Sequence, residues 1–174
     1  MKSYSFWGKP YAFSVCRIEP ENNIHILLEA FAENAAMPLV IVGNWMNSEY
    51  GRDLLKKYRD KQNIFQLSPI YDQIRLNELR LGCTLYLHGH SCGGTNPSLV
   101  EAMYLGLPIV AFDVNFNRET TENKALYFRD AEELKNICGS IEAEASKKIG
   151  DAMKEIADRR YTWQRISECY AKLM

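Results

Sequence analysis

Apolar residues along the chain fall into two alternating patterns. Short runs rich in aromatic or β-branched side chains (11–16, 38–43, 63–67, 85–87 and 108–112) read as buried strands. Between them the spacing becomes helical: Ile24, Leu27, Leu28 and Phe31 recur at i, i+3, i+4 and i+7. A charged helix over about 48–61 turns Leu54, Leu55 and Tyr58 inward, and another is predicted over about 72–82. Past Phe128 only helical spacing remains: a short helix over 131–138, a longer one marked by Ile149, Met153 and Ile156, and a last one with Trp163, Ile166, Tyr170 and Leu173 as its apolar stripe. Strand and helix thus alternate five times, which predicts right-handed crossovers and a parallel sheet with helices on both faces. In such sheets ligands bind outside the carboxyl ends of the strands. The loops at 17–23, 43–47, 68–71, 88–96 and 113–123 all follow strands, so they line one rim.

The stretch 83–113 narrows the chemistry. A strand leads into a loop with Gly93 and Gly94, then a helix with Asn96 as N-cap, Pro97 at its first position and Leu99, Val100 and Met103 as its apolar face. Gly106 ends that helix. Strand, glycine loop and helix N-terminus together suit an anion, because the first helical N–H groups lack partners and the dipole adds positive potential. Gly93, Gly94, Thr95 and Asn96 would present backbone N–H groups to a diphosphate, Thr95 adding a hydroxyl; a tight turn needing positive φ is the plainer alternative. Glu101 lies one turn inside the helix, and the tilt of Cα–Cβ bonds lets its carboxylate point back to the mouth and accept both hydroxyls of a ribose. An ordinary solvated glutamate is the competing reading. Arg17, heading the loop after the first strand, could fork onto phosphate oxygens or be a plain surface arginine. His88, His90 and Cys92 alternate, but a zinc site needs a fourth ligand, so no metal is expected and an imidazole lining the pocket as a hydrogen-bond donor is the better reading.

Composition trims the alternatives. A chain of 174 residues, 47% hydrophobic, is expected to form one domain, 1–174. A net charge of −1 leaves no electrostatic footprint for nucleic acid. No run approaches the ~20 apolar residues of a membrane span, and residues 1–10 do not read as a signal peptide. Five cysteines without a C-x-x-C suggest reduced thiols and a cytoplasmic setting. The loop at 17–23 has no G-x-G-x-x-G for a dinucleotide, and GGTNPS lacks the lysine of a P-loop. No Asp-x-Asp is present to carry a divalent ion.

The segment GGTNPSLVEAMYLGLPIVAFD resembles the nucleotide-sugar signature of retaining glycosyltransferases of family 4, which have the two-domain GT-B architecture. RIEPENN (17–23), HGHSCGGTNPSLVEAM (88–103) and FNRETT (116–121) are similar to motifs of its rhamnosyltransferase branch, and Tyr161, Thr162, Trp163 and Tyr170 to its closing helix, over about 161–174. The resemblance implies a Rossmann-like three-layer α/β/α domain, the C-terminal donor half, with the N-terminal acceptor domain absent from this chain. It implies diphosphate contacts from the loops holding Arg17, Asn22 and Gly93–Asn96, a ribose contact from Glu101, and nucleobase contacts along Ser68, Ile70 and Tyr71. Gly43, Asn44, His88, His90 and Arg118 would line the sugar pocket. The implied activity is metal-independent transfer of a sugar, rhamnose, from a nucleoside diphosphate donor such as dTDP-rhamnose to a glycan or lipid-linked glycan. It needs no cofactor, identifies no nucleophile, and allows peripheral membrane association of the full-length enzyme. Without its other half the chain is expected to be inactive; the alternative is a non-catalytic nucleotide-binding module. The sequence departs from the family pattern twice: Gly93 replaces the first glutamate of E-x7-E, and Asn22 a frequent lysine, whose charge Arg118 or Lys124 could supply.

Overall fold

The computed structural model describes residues 4–33 and 35–171, without side chains at 166 and 168–170. Six parallel strands form one sheet: β1 (Ala12–Val15), β2 (Leu39–Val42), β3 (Ile64–Leu67), β4 (Leu85–His88), β5 (Ile109–Phe112) and β6 (Leu126–Phe128). Their order is β3-β2-β1-β4-β5-β6, so chain direction across the sheet reverses between β1 and β4. The five strands anticipated from apolar runs are present, and the three-layer α/β/α fold is as expected.

Alternation of side chains along the strands separates two cores. Ala12, Leu39, Ile41, Leu85, Leu87 and Val110 face α1 (Ile24–Ala32), α2 (Glu49–Tyr58) and α6 (Ala131–Ser140). Phe13, Val40, Val42, Tyr86, Ile109 and Ala111 face α3 (Gln73–Leu81), α4 (Pro97–Tyr104) and α7 (Ala143–Arg160). The helical residues that meet them follow the spacing in the sequence: Ile24, Leu27, Leu28 and Phe31 on α1, Met153 and Ile156 on α7, all fully buried. Each large side chain buried this way contributes roughly 1.5–3 kcal/mol.

Three expectations are corrected. The segment 113–123 is not a loop throughout but holds α5 (Asn115–Thr120), and 17–23 contains a 3₁₀ turn at Pro20–Asn22. The strand β6 follows α5 where no strand was expected; it is three residues long with only Phe128 buried, and exists by pairing with β5. A last helix, α8 (Trp163–Ala171), is present, but most of its anticipated stripe lies outside the described residues and Trp163 is exposed. Among the described residues no helix is long and apolar enough to cross a membrane.

Candidate functional site

The reversal point places the loops after β1 and β4 side by side, with α1 leaving to one face and α4 to the other. Crevices of this kind are where open α/β sheets bind ligands. The two loops are fastened together. Asn23 Nδ2 donates to the Gly89 carbonyl at 2.8 Å, and Ser91 gives both its N–H (2.8 Å) and its hydroxyl (3.0 Å) to the Glu21 carbonyl. Gly89 permits this approach: a Cβ there would sit 2.2 Å from the Asn22 carbonyl oxygen. Sequence reading missed Gly89, because its neighbour lies in a distant loop.

Beyond Ser91 the chain turns through Gly93 at φ +98°, a conformation that favours glycine, and reaches α4. Asn96 caps the helix, its Oδ1 accepting from the Ser98 N–H at 3.0 Å and the Ser98 hydroxyl at 2.9 Å. Gly93, Gly94 and Thr95 are exposed, and among the described residues their N–H groups meet no intramolecular acceptor. The Thr95 hydroxyl lies 3.3 Å from that of Thr120. Three unused donors therefore open to solvent at the start of an α-helix.

Around this loop the charged and titratable groups divide into available and engaged. The Arg17 side chain, 76% exposed, has Glu21 at 3.5 Å as its one ion-pair partner among the described residues. Arg118 forks onto Asp113, its Nη2 donating at 2.9 Å, and lies 4.1 Å over the Tyr127 ring. That hydrogen bond holds the Asp113 carboxyl below its ordinary range and engages the guanidinium. Glu101 is half-exposed with one oxygen accepting from Arg80, whose guanidinium is buried and also donates to Asn77. Arg80 was not singled out, although Leu76, Leu79 and Arg80 recur at i, i+3 and i+4 and so share the buried stripe of α3.

His88 is buried at the end of β4, its Nε2 without a partner, and burial followed by the neighbouring His90 pushes its imidazole down to about 3. His90 Nδ1 lies 2.8 Å from Asn22 Oδ1, and burial lowers its affinity for a proton. Asn22 is buried, with Nδ2 donating to the Arg17 carbonyl at 2.8 Å. Asn117, not anticipated as a site residue, is buried and gives Nδ2 to both the His90 and Phe112 carbonyls at 2.9 Å.

Other anticipated residues are more dispersed. Gly43 is buried, a Cβ there falling 2.7 Å from the Cys16 carbonyl oxygen, so the backbone packing requires glycine; Asn44 beside it is exposed. Ser68 and Tyr71 are exposed and Ile70 half-buried after β3, three strand spacings, about 14 Å, from β4. No described group of three or more His, Cys, Asp or Glu residues could hold a metal ion.

The family model for glycosyl transferases group 1 matches residues 2–157. Solved structures share the fold. HepE from Anabaena, crystallised with UDP, is 21% identical, with a TM-score of 0.79 over 93% of this chain and 48% of its own. Sucrose-phosphate synthase from Thermosynechococcus elongatus is 19% identical, TM-score 0.78, over 95% and 46%. The C-terminal domain of LpcC, a glycosyl transferase group 1 family protein from Francisella tularensis, is 15% identical, TM-score 0.72, over 88% and 87%. This chain thus spans about half of HepE and of the synthase, but nearly the whole of the isolated LpcC domain. No curated protein matches it.

Proposed function

Because the chain belongs to the glycosyl transferases group 1 family, we propose that it is the donor-binding half of a glycosyltransferase that moves a sugar from a nucleoside diphosphate. One observation carries the proposal: three unused N–H groups (Gly93, Gly94, Thr95) open at the start of α4, at the sheet's reversal point, with exposed Arg17 across the crevice. Bond cleavage leaves charge on the departing diphosphate, and preorganised donors plus a helix dipole stabilise that charge as it develops. Glu101, its second carboxylate oxygen open, accepts the ribose hydroxyls, and the loop at Ser68–Tyr71 lies a nucleoside's reach away along the rim. The motif resemblance makes rhamnose the transferred sugar and retention the outcome. The acceptor is held by a second domain, as the half-length match to HepE supports, so this chain alone binds donor and transfers at no useful rate.

Calorimetric titration with UDP, dTDP and their sugar conjugates tests the reading. Binding is expected with a preference for a sugar-bearing form, and Glu101→Ala is expected to weaken it about 10- to 100-fold, or about 1.5–3 kcal/mol. Donors of this kind neutralise the diphosphate without a divalent ion, so EDTA is expected to leave the affinity unchanged. Free nucleotide binding as tightly as every conjugate would favour a nucleotide-sensing module instead.

A further inference from the structure

His90 offers the glycine loop an acceptor beside its unused N–H donors. Asn22 Nδ2 faces the Arg17 carbonyl, which can only accept, so the amide oxygen is the atom 2.8 Å from His90 Nδ1. An amide oxygen also only accepts; Nδ1 therefore carries the hydrogen, and a neutral ring keeps a lone pair on Nε2. Partial burial favours that neutral ring over the opposing pull of the Cys92 backbone and Glu21, with Arg17 acting in the same sense as burial. The residue is held from a second side by Asn117, which donates to its carbonyl. Nε2 faces Gly93: a Cβ there would lie 3.8 Å away, and outside residues 92–94 no other atom comes within 4 Å of that point.

The Gly93, Gly94 and Thr95 N–H groups and Arg17 are donors suited to phosphate oxygens, whereas the Thr95 hydroxyl gives its hydrogen to Thr120, whose own goes to the Phe116 carbonyl. A lone pair beside them repels an oxyanion and welcomes a hydroxyl. Resting on the donor-binding reading above, we infer that His90 Nε2 accepts a hydrogen bond from a hydroxyl of the sugar attached to the diphosphate. His90 is thus a specificity-determining residue, and Asn22 a positioning residue that sets its tautomer. The sequence alone suggested a donor role for one of the two imidazoles; His90 takes an acceptor role instead.

The test compares affinities for UDP and UDP-glucose, and for dTDP and dTDP-rhamnose, in the wild-type chain and in His90→Ala. The ratio of conjugate to free-nucleotide affinity is expected to fall about tenfold in the variant for the preferred pair. An unchanged ratio, or equal loss for both ligands, overturns the inference while leaving the diphosphate site standing; no binding of any of the four ligands to the wild-type chain overturns the donor-binding reading itself. Should the alanine variant not fold, His90→Gln replaces it in the same comparison. Independently of any variant, long-range proton–nitrogen NMR of the wild-type imidazole is expected to show the Nδ1–H tautomer, with Nε2 shifting on addition of the conjugate. An Nε2–H tautomer in the free chain overturns the inference outright.

Discussion

At the scale of single residues, His88 gives the clearest link between burial and stability. Its ring is buried and held neutral down to about 3, whereas in the unfolded chain it takes a proton near 6.5. Between those values the unfolded state binds the extra proton, so stability falls as pH is lowered through about 6.5 and this loss levels off near 3. At pH 5 the loss is about 2 kcal/mol. His90, lowered in the same direction, adds to it. The lowered carboxyls of Asp113, Glu122 and Glu133 also lose stabilising contacts on acidification, but they protonate further down and stay charged at pH 5. Denaturant unfolding at pH 7.5 and pH 5 is expected to show the decline in wild type and a much flatter profile in His88→Gln. A steep profile that survives the substitution would place the proton elsewhere. His88 was visible in the sequence as part of an alternating His-x-His; its neutrality was not, since its burial follows from β4 lying at the centre of the sheet, between β1 and β5.

At the scale of elements, the junction of the β1 and β4 loops is the structural decision that makes a crevice. Gly89→Ala puts a methyl 2.2 Å from the Asn22 carbonyl, backbone against backbone, so the loops must part. The hydrogen bonds from Asn23 and Ser91 then weaken together. Overpacking of this kind costs about 1–3 kcal/mol, and thermal unfolding is expected to show it alongside weaker nucleotide binding; an unaltered melting temperature would mean that the junction is looser than its contacts imply. Elements with strong periodicity were legible in advance. The cap Asn96–Pro97 and the stripes of α1 and α7 are local signals, and they stand where the spacing put them. Strand β6 was not legible, because its segment has one buried residue and acquires its conformation by pairing with β5. Nor was α5: its polar segment is tied down by Asn117 reaching carbonyls in two other segments. Arg80 was legible in principle, from its place in a buried stripe, once charge was allowed to sit there.

At the scale of the whole molecule, the crevice hangs on the two central strands of the sheet. Separating β1 from β4 breaks the sheet in half and opens both cores, since Ala12 and Leu85 lie on one side and Phe13 and Tyr86 on the other. A ligand clasped by both loops therefore opposes global unfolding and not merely local fraying. At a nucleotide concentration 100 times its dissociation constant the stabilisation is about 2.7 kcal/mol, which for a domain of this size raises the melting temperature by about 5–10 °C. Hydrogen exchange separates the two modes of protection. With saturating UDP or dTDP, slow amides in β1 and β4 are expected to slow further by the same free energy as those in β2 and β5, because one opening event exposes all four strands. Protection confined to 93–95, with the strand amides unmoved, would mean that the nucleotide settles on the loop without spanning the junction. The chain would then lack the preorganised crevice on which the proposed donor binding rests.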